Sequence, residues 1–447
     1  MLWGLRYPQF TRAAHERFGP TFTVRPGTMD PLVLTTDRDA VRRLLTGDPL
    51  TKHHGNDAVR PLIGEGSILL LEPREHLKRR KLLLPPFHGD RVLAYADLMR
   101  RLMSAEVDRW RAGDTVPVLT VAQNVTIEVI LQAVLGVADS ALRRRFRRAI
   151  DDVLFYPAGS LRLGLGGMLR VGGTPPHRVR EAMAFAAALP TPAVLTYFPG
   201  MKGRSPLNLM TRRWWKHRDR LISLLDEQVA STRADPGLGE REDILAMLVS
   251  ARDEDGKGLS DEELHDDLIA LIGAGHETTA AGIAWGVSLL AHDRRALQRA
   301  TIAAEEGDEE YLGALVKEIL RIRPPIPVAA GRVLEEPFRV GPHEIPAGKL
   351  ILIDAWGLHH DPAQFPEPGA LRPERFLGEG PAPYTWLPFG GGAHRCLGSA
   401  LAELEIRIAL TSILERVNIL PADDRLAPAA RRAVTMVPYA GGRVRIA

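Results

Sequence analysis

The chain has a single cysteine, Cys396, in the stretch Phe389-Gly390-Gly391-Gly392-Ala393-His394-Arg395-Cys396-Leu397-Gly398. A thiolate is a nucleophile and a soft metal ligand, and it stays anionic near neutral pH when backbone N–H groups or a helix N-terminus lie close to sulfur. The glycines before Cys396 allow such close approach, and an apparent helix follows, carrying Ala402 and Glu405. A lone buried cysteine is more often a small apolar filler, but this one sits among glycines and cations. Three further clusters could do chemistry. Glu277 and Thr278 are an adjacent acid and alcohol, a pair able to relay protons. His76 and Arg80 are four apart, project from one helix face, and could grip two carboxylates of one ligand. Glu318 and Arg321 are three apart and form an ion pair on one face, which on its own reads as a solvated surface pair.

These residues need elements to hold them. Apolar residues recur at helical spacing in Val92 to Arg111, Val121 to Leu135, Leu207 to Arg233, Asp261 to His292 and Ala400 to Val417. The helix from Asp261 has a defined start, since Ser260 can cap it and Glu263 can reach back in a capping box. Glu277 and Thr278 then fall mid-helix, next to Gly273, Ala274 and Gly275. That small-residue run reads either as a helix-packing site or as a local helix distortion with a close approach by a flat ligand at Ala274. Thr21 to Thr35, Arg332 to Val340, Lys349 to Asp354 and Val434 to Arg445 read as strands punctuated by Gly and Pro, the later ones expected to complete the sheet begun by the first. The fold class is therefore mainly α with a small β subdomain. Pro157 to Pro206 is the least regular region.

Composition excludes several classes. Hydrophobic residues are 45% and charged residues 25% of 447, as in an ordinary globular protein. Lys plus Arg, 58, exceed Asp plus Glu, 55, by three, so no field argues for nucleic acid. One cysteine precludes an intramolecular disulfide and fits a reducing, cytoplasmic compartment. Met1 to Arg12 lacks the apolar core of a signal peptide. Leu268 to Ala291 is long enough to span a bilayer, but His276 and Glu277 at its centre mark it as a core helix, so no membrane partner is expected.

The Cys396 loop, preceded along the chain by the His76, Glu277 and Glu318 clusters in that order, resembles the cytochrome P-450 family over nearly the whole chain. The resemblance implies the fold of that family in one catalytic domain, residues 1–447, beginning almost at the first helix. It implies haem b with Cys396 as axial thiolate and Phe389 packed on the sulfur side. Gly398 would allow tight packing after the ligand. The Glu318-Ile319-Leu320-Arg321 and Pro373-Glu374-Arg375-Phe376 motifs imply a buried Glu318, Arg321 and Arg375 network that scaffolds the loop. His76, Arg80, Arg332 and His394 match the family's partners of the haem carboxylates. Thr278 matches the residue that steadies activated oxygen, and Glu277 the one that feeds the proton path; His276 has no assigned role. Gly392-Ala393 is a departure, a small pair within the haem loop.

The implied activity is a monooxygenase that hydroxylates or epoxidises an apolar small molecule of the terpenoid, fatty-acid, steroid or macrolide kind, using O2. The alternatives are a peroxide-using or isomerising haem-thiolate enzyme and a non-catalytic haem sensor. No Gly-rich dinucleotide loop or Cys-rich cluster spacing is present, so the two electrons are expected from a ferredoxin or flavodoxin with an NAD(P)H-dependent reductase. Arg79, Lys81 and Arg395 are expected to form the basic docking patch, and the protein to be a monomer. Candidate pocket walls are His53 to Leu70, Pro157 to Pro206, Ala270, Ala274, Val328 to Ala330 and Thr435 to Val437.

Overall fold

A computed structural model describes residues 6–25, 30–47, 56, 59–154, 207–432 and 434–447. The expected pocket walls at Pro157 to Pro206, and the start of the one at His53 to Leu70, lie outside the described residues.

The helix Asp261–His292 is the axis of the molecule. Its capping box forms as its sequence predicts: Glu263 N–H donates to Ser260 Oγ (3.2 Å), and Ser260 N–H to Glu263 Oε2 (2.8 Å). Around this helix pack Val118–Val129, Leu207–Arg233, Glu309–Ile322 and Ser399–Leu414. Two glycines make the crossing with Ser399–Leu414 close. A Cβ on Gly282 would lie 2.6 Å from Ile406 Cδ1, and one on Gly286 would lie 3.1 Å from Leu410 Cδ2.

Several expected boundaries shift. Val92 to Arg111 is two helices, Asp90–Leu93 and Ala96–Val107. Val121 to Leu135 begins earlier, at Val118, and ends in a π turn over Ile130–Val134, where Leu135 N–H reaches back to Ile130 O (3.1 Å). The distortion expected in the long helix is absent: Asp261–His292 is a continuous α-helix. The irregular turn lies in its neighbour instead, with Ile130 Cδ1 placed 3.3 Å from where a Cβ of Gly275 would be.

Among the described residues the strands are β1 (Thr21–Val24), β2 (Leu32–Thr35), β3 (Thr115–Pro117), β4 (Ala329–Val333), β5 (Phe338–Val340), β6 (His343–Ile345), β7 (Leu350–Ile353), β8 (Ile419–Pro421), β9 (Ala429–Arg432), β10 (Thr435–Pro438) and β11 (Arg443–Ile446). The main sheet has the order β1-β2-β7-β4, with β2 and β7 parallel and Leu34 opposite Leu352. An irregularity between Ala329 and Arg332 on β4 turns the chain there. The expectation that the late strands complete this sheet holds for β4 and β7 only. β5 pairs with β6, β10 with β9, and β11 lies between β3 and β8. No described helix is long and apolar enough to cross a membrane.

Candidate functional site

The Cys396 loop is closed on itself by Cys396 N–H donating to Phe389 O (2.9 Å) and Arg395 N–H to Gly392 O (3.2 Å). Gly390 and Gly392 have φ of 65° and 64°. At Gly392 a Cβ would lie 2.0 Å from the Leu45 carbonyl oxygen, so only glycine fits. A Cβ on Gly398 would meet no protein atom within 4 Å, so it is not the protein that would crowd this position. Gly398 acts through its backbone: it caps Ser399–Leu414, and its N–H faces the sulfur. Cys396 is accessible, yet ringed by enough protein for burial to push its thiol up; the Gly398 N–H and the charges of Arg80 and Arg395 pull the other way. Phe389 meets the edge of Trp386 at 6.1 Å, and Trp386 in turn meets Phe376 at 5.6 Å.

Opposite this loop the long helix shows a different face. Around the crossing at Gly282 and Gly286 it is buried on every side, but Leu271, Ala274, Gly275 and Thr278 are accessible. These positions share one face of the helix. Followed back from Gly282 and Ile406, the long helix reaches Ala274 after about 12 Å and the other helix reaches its start at Ser399, just after Cys396, after about 10 Å, at 1.5 Å per residue. The stripe and the thiol thus lie on the same side of the crossing, and the space between them is the candidate cleft.

Basic side chains collect at its edge. His76 and Arg80 share one face of Pro73–Leu83, the His76 and His394 rings lie 3.8 Å apart, and Arg80 Nη1 donates to Arg395 O (2.7 Å). Arg332, on β4, is buried. His76 is depressed to about 4, by burial first and then by the positive charges of Arg80 and Arg332. The structure thus brings together all four residues named from the sequence, His76 being held neutral by burial and by the two arginines. A donor set of one thiol, a flat accessible stripe, two arginines and two imidazoles fits a flat, dianionic, thiolate-ligated group.

Glu318, Arg321 and Arg375 also meet. Arg321 donates to Glu318 through Nε (2.6 Å) and Nη2 (2.9 Å), and Arg375 Nε donates to Glu318 Oε1 (3.2 Å). Both Glu318 and Arg321 are 0% exposed. The link onward to the loop runs through a residue that sequence reasoning missed, His359. Its carbonyl accepts from Arg321 Nη1 (2.7 Å), and its Nε2 accepts the Leu387 N–H (2.8 Å), two residues before Phe389. Burial and then Arg321 hold His359 down at about 3, so it stays a neutral acceptor.

Glu277 and Thr278 point in different directions. The Thr278 hydroxyl, on the accessible stripe, donates to Ala274 O (2.6 Å). Glu277 is buried on the next face, where Gln123 Nε2 donates to it and Arg432 Nε lies 3.4 Å away. Burial raises its carboxyl, against the Arg432 charge and the Gln123 hydrogen bond. Gln123 and Arg432 carried no sequence signal, because each is a common polar residue far away in the chain. His276 is buried against Thr126, with Nδ1 3.0 Å from its hydroxyl.

One member of the expected docking patch, Arg79, is corrected. Arg79 points inward, 6% exposed, bound to Asp267 (2.7 Å) and Glu263. Lys81 is exposed but paired with Glu254 (2.7 Å), and Arg395 is exposed.

A family model described as Cytochrome P-450 matches residues 185–440. The chain belongs to the cytochrome P-450 family. It is 34% identical over 436 residues to cytochrome P-450 137 of Mycobacterium tuberculosis, covering 96% of this chain and 83% of that one. It is also 34% identical over 456 residues to cytochrome P-450 135B1 of Mycobacterium bovis, covering 99% and 87%. Among solved structures, it superposes with a TM-score of 0.79 on the retinoic acid bound cyanobacterial CYP120A1, at 22% identity and covering 99% and 95% of the two chains. The cytochrome P-450DA heme domain also gives a TM-score of 0.79, at 21% identity and covering 98% and 92%. The protein has the P-450 fold and is a monooxygenase of this family, with haem, a cysteine thiolate axial ligand, O2 and external redox partners.

Proposed function

We propose that this P-450 binds haem b through Cys396 and uses it to hydroxylate or epoxidise an apolar small molecule of the terpenoid, fatty-acid, steroid or macrolide kind. The observation that carries the reading is the chain's single thiol, with the Gly398 N–H at its sulfur, beside the gathered side chains of His76, Arg80, Arg332 and His394. Those four would hold the haem carboxylates, and Phe389 would shield the thiolate from water. When bound, the haem supplies the oxygen chemistry, which the thiolate favours by donating charge.

The remaining roles belong to side chains. Ala274 and Gly275 leave room for a flat group against the long helix. Thr278 is placed to present its hydroxyl to the cleft by exchanging its bond to Ala274 O. Glu277, raised by burial, can take up and release a proton where Gln123 and Arg432 hold its Oε1. Glu318, Arg321 and Arg375 hold the loop in place through His359. Leu271, Ala274 and half-buried Val328 and Ala329 offer apolar surface to substrate, whereas Ala270, Thr435, Met436 and Val437 are buried. A ferredoxin or flavodoxin with an NAD(P)H-dependent reductase would supply electrons to a monomer in the cytoplasm.

The test is the reduced carbon monoxide spectrum together with product formed per NADPH in a surrogate ferredoxin system. The wild type is expected to show the red-shifted band of thiolate ligation, and Cys396→Ser to lose both band and product. Retention of the band in Cys396→Ser would overturn the assignment, since the chain has no second thiol.

A further inference from the structure

Near its N-terminal end the long helix carries two adjacent carboxylates, Asp266 and Asp267, that are buried although Asp261 and Glu262, earlier on the same helix, are exposed. Both are spent on one stretch of chain. Gly66 N–H donates to Asp266 Oδ2 (2.8 Å), and Ile68 N–H donates to Asp267 Oδ1 (2.7 Å), across 199 residues of sequence. Two arginines from other helices complete the hold. Arg79 Nη1 donates to Asp267 Oδ2 (2.7 Å) and to Gly66 O (3.3 Å), while its Nη2 bonds Glu263. Arg218, on Leu207–Arg233, donates from Nε to Leu62 O (3.1 Å) and lies 3.7 Å from Asp266 Oδ1. The approach is close enough to exclude a side chain: Gly64 has φ of 83°, and a Cβ there would lie 1.9 Å from Asp266 Oδ1.

The position of this hold follows from helix geometry. Asp267, Leu271, Ala274 and Thr278 are spaced by four, seven and eleven residues from the first, so they share one face. At 1.5 Å per residue, the Ile68 amide is bound about 6 Å along the axis from Leu271 and roughly 16 Å from Thr278. The stretch from Gly64 to Leu70 therefore sits at the end of the accessible stripe, with Ile68 buried in the main core.

We propose that Asp266 and Asp267, with Arg79 and Arg218, are positioning residues that latch Gly64 to Leu70 across one end of the substrate cleft and set how fast ligands enter and leave. The proposal rests on the reading of that cleft as the haem and substrate site. A stretch that only needed packing would not require two buried carboxylates, because removing charge from water is costly unless it is paired. A polar latch is local and directional, so it opens when a few hydrogen bonds break while the apolar core stays intact.

The test uses the full-length, haem-loaded protein, with Asp266→Ala and Asp267→Asn as variants and phenylimidazole as the probe. Stopped-flow absorbance gives its association and dissociation rates, and hydrogen exchange gives the protection of the Gly66 and Ile68 amides. A lost hydrogen bond of typical strength corresponds to about tenfold in a rate or an exchange factor. Both rates are expected to rise by about that factor, with Kd changed by less than about threefold and the carbon monoxide band unchanged. Amides that exchange faster are the accompanying sign. Unchanged rates in both variants, even with a lowered melting temperature, would overturn the latch and leave the carboxylates as scaffolding. Asp266→Ala leaves the Arg79–Asp267 pair intact, so it carries the test if Asp267→Asn loads no haem. Absence of the band in the wild type would instead sink the reading of the cleft.

Discussion

The Glu318 cluster and the His76 cluster are both sets of ionisable side chains that reach the Cys396 loop, one through His359 and the other through Arg80 and His394. They balance charge differently. In the first, a carboxylate lies between Arg321 and Arg375, and the N–H groups left over donate to the carbonyls of His359, Pro366 and Ala370. One carboxylate serves both guanidinium groups. In the second, the charges bearing on His76 are both positive, and they add to burial in holding it at about 4. The contrast is between a carboxylate held by two arginines and a histidine held neutral beside two positive charges, the second being the cluster proposed above to meet the haem carboxylates.

Removing one charge from each cluster should therefore act differently on folding and on haem retention. The largest effect is expected for Glu318→Ala, which strands Arg321 at 0% exposure and should cost about 3 to 5 kcal/mol. Urea midpoints and haem content measure it, and normal values in both would remove the distinction between the clusters. Next is Arg332→Leu. In haem-free protein it relieves like charge near His76, so the His76 value should rise from about 4 towards its ordinary 6.5. In loaded protein, transfer of haem to apomyoglobin should quicken by on the order of tenfold to a hundredfold, as for a lost charge-assisted hydrogen bond. A fall in stability without faster transfer would place Arg332 with the scaffolding instead.

The smallest effect is in pH dependence. The folded value of His76, about 4, lies below its ordinary 6.5. The unfolded chain therefore takes up the proton first, and stability present above pH 6.5 is lost as pH falls towards 4. His276 at about 4 and His359 at about 3 contribute with the same sign. Haem carboxylates beside His76 should raise its value and flatten its share of the slope in loaded protein. His76→Gln should then erase most of the difference in slope between haem-free and loaded protein, measured as urea midpoint against pH. An identical slope in the two forms of the wild type would separate His76 from the anion site.

What the sequence determined by itself is local. The limits of Asp261–His292 could be read because a capping box and helical period act within a few residues, and the Cys396 loop because its glycines, cations and thiol lie within ten positions. His76, Arg80, Arg332 and His394 could be named from family motifs in the same way. Direction and partnership were decided by the tertiary structure. Arg79 sits beside His76 and Arg80 in a basic run, yet it turns inward because Asp267, 188 residues away, is buried against it. The conformational demand for glycine falls on Gly392 rather than Gly398 because Leu45 O packs there. Gln123, Arg432 and His359 join the site only because helices and a hairpin distant in sequence are packed onto the long helix and the loop. Main-chain geometry and side-chain period are set by neighbours along the chain, but the choice of which charge a buried side chain meets is made by packing across it, where no local pattern records the answer.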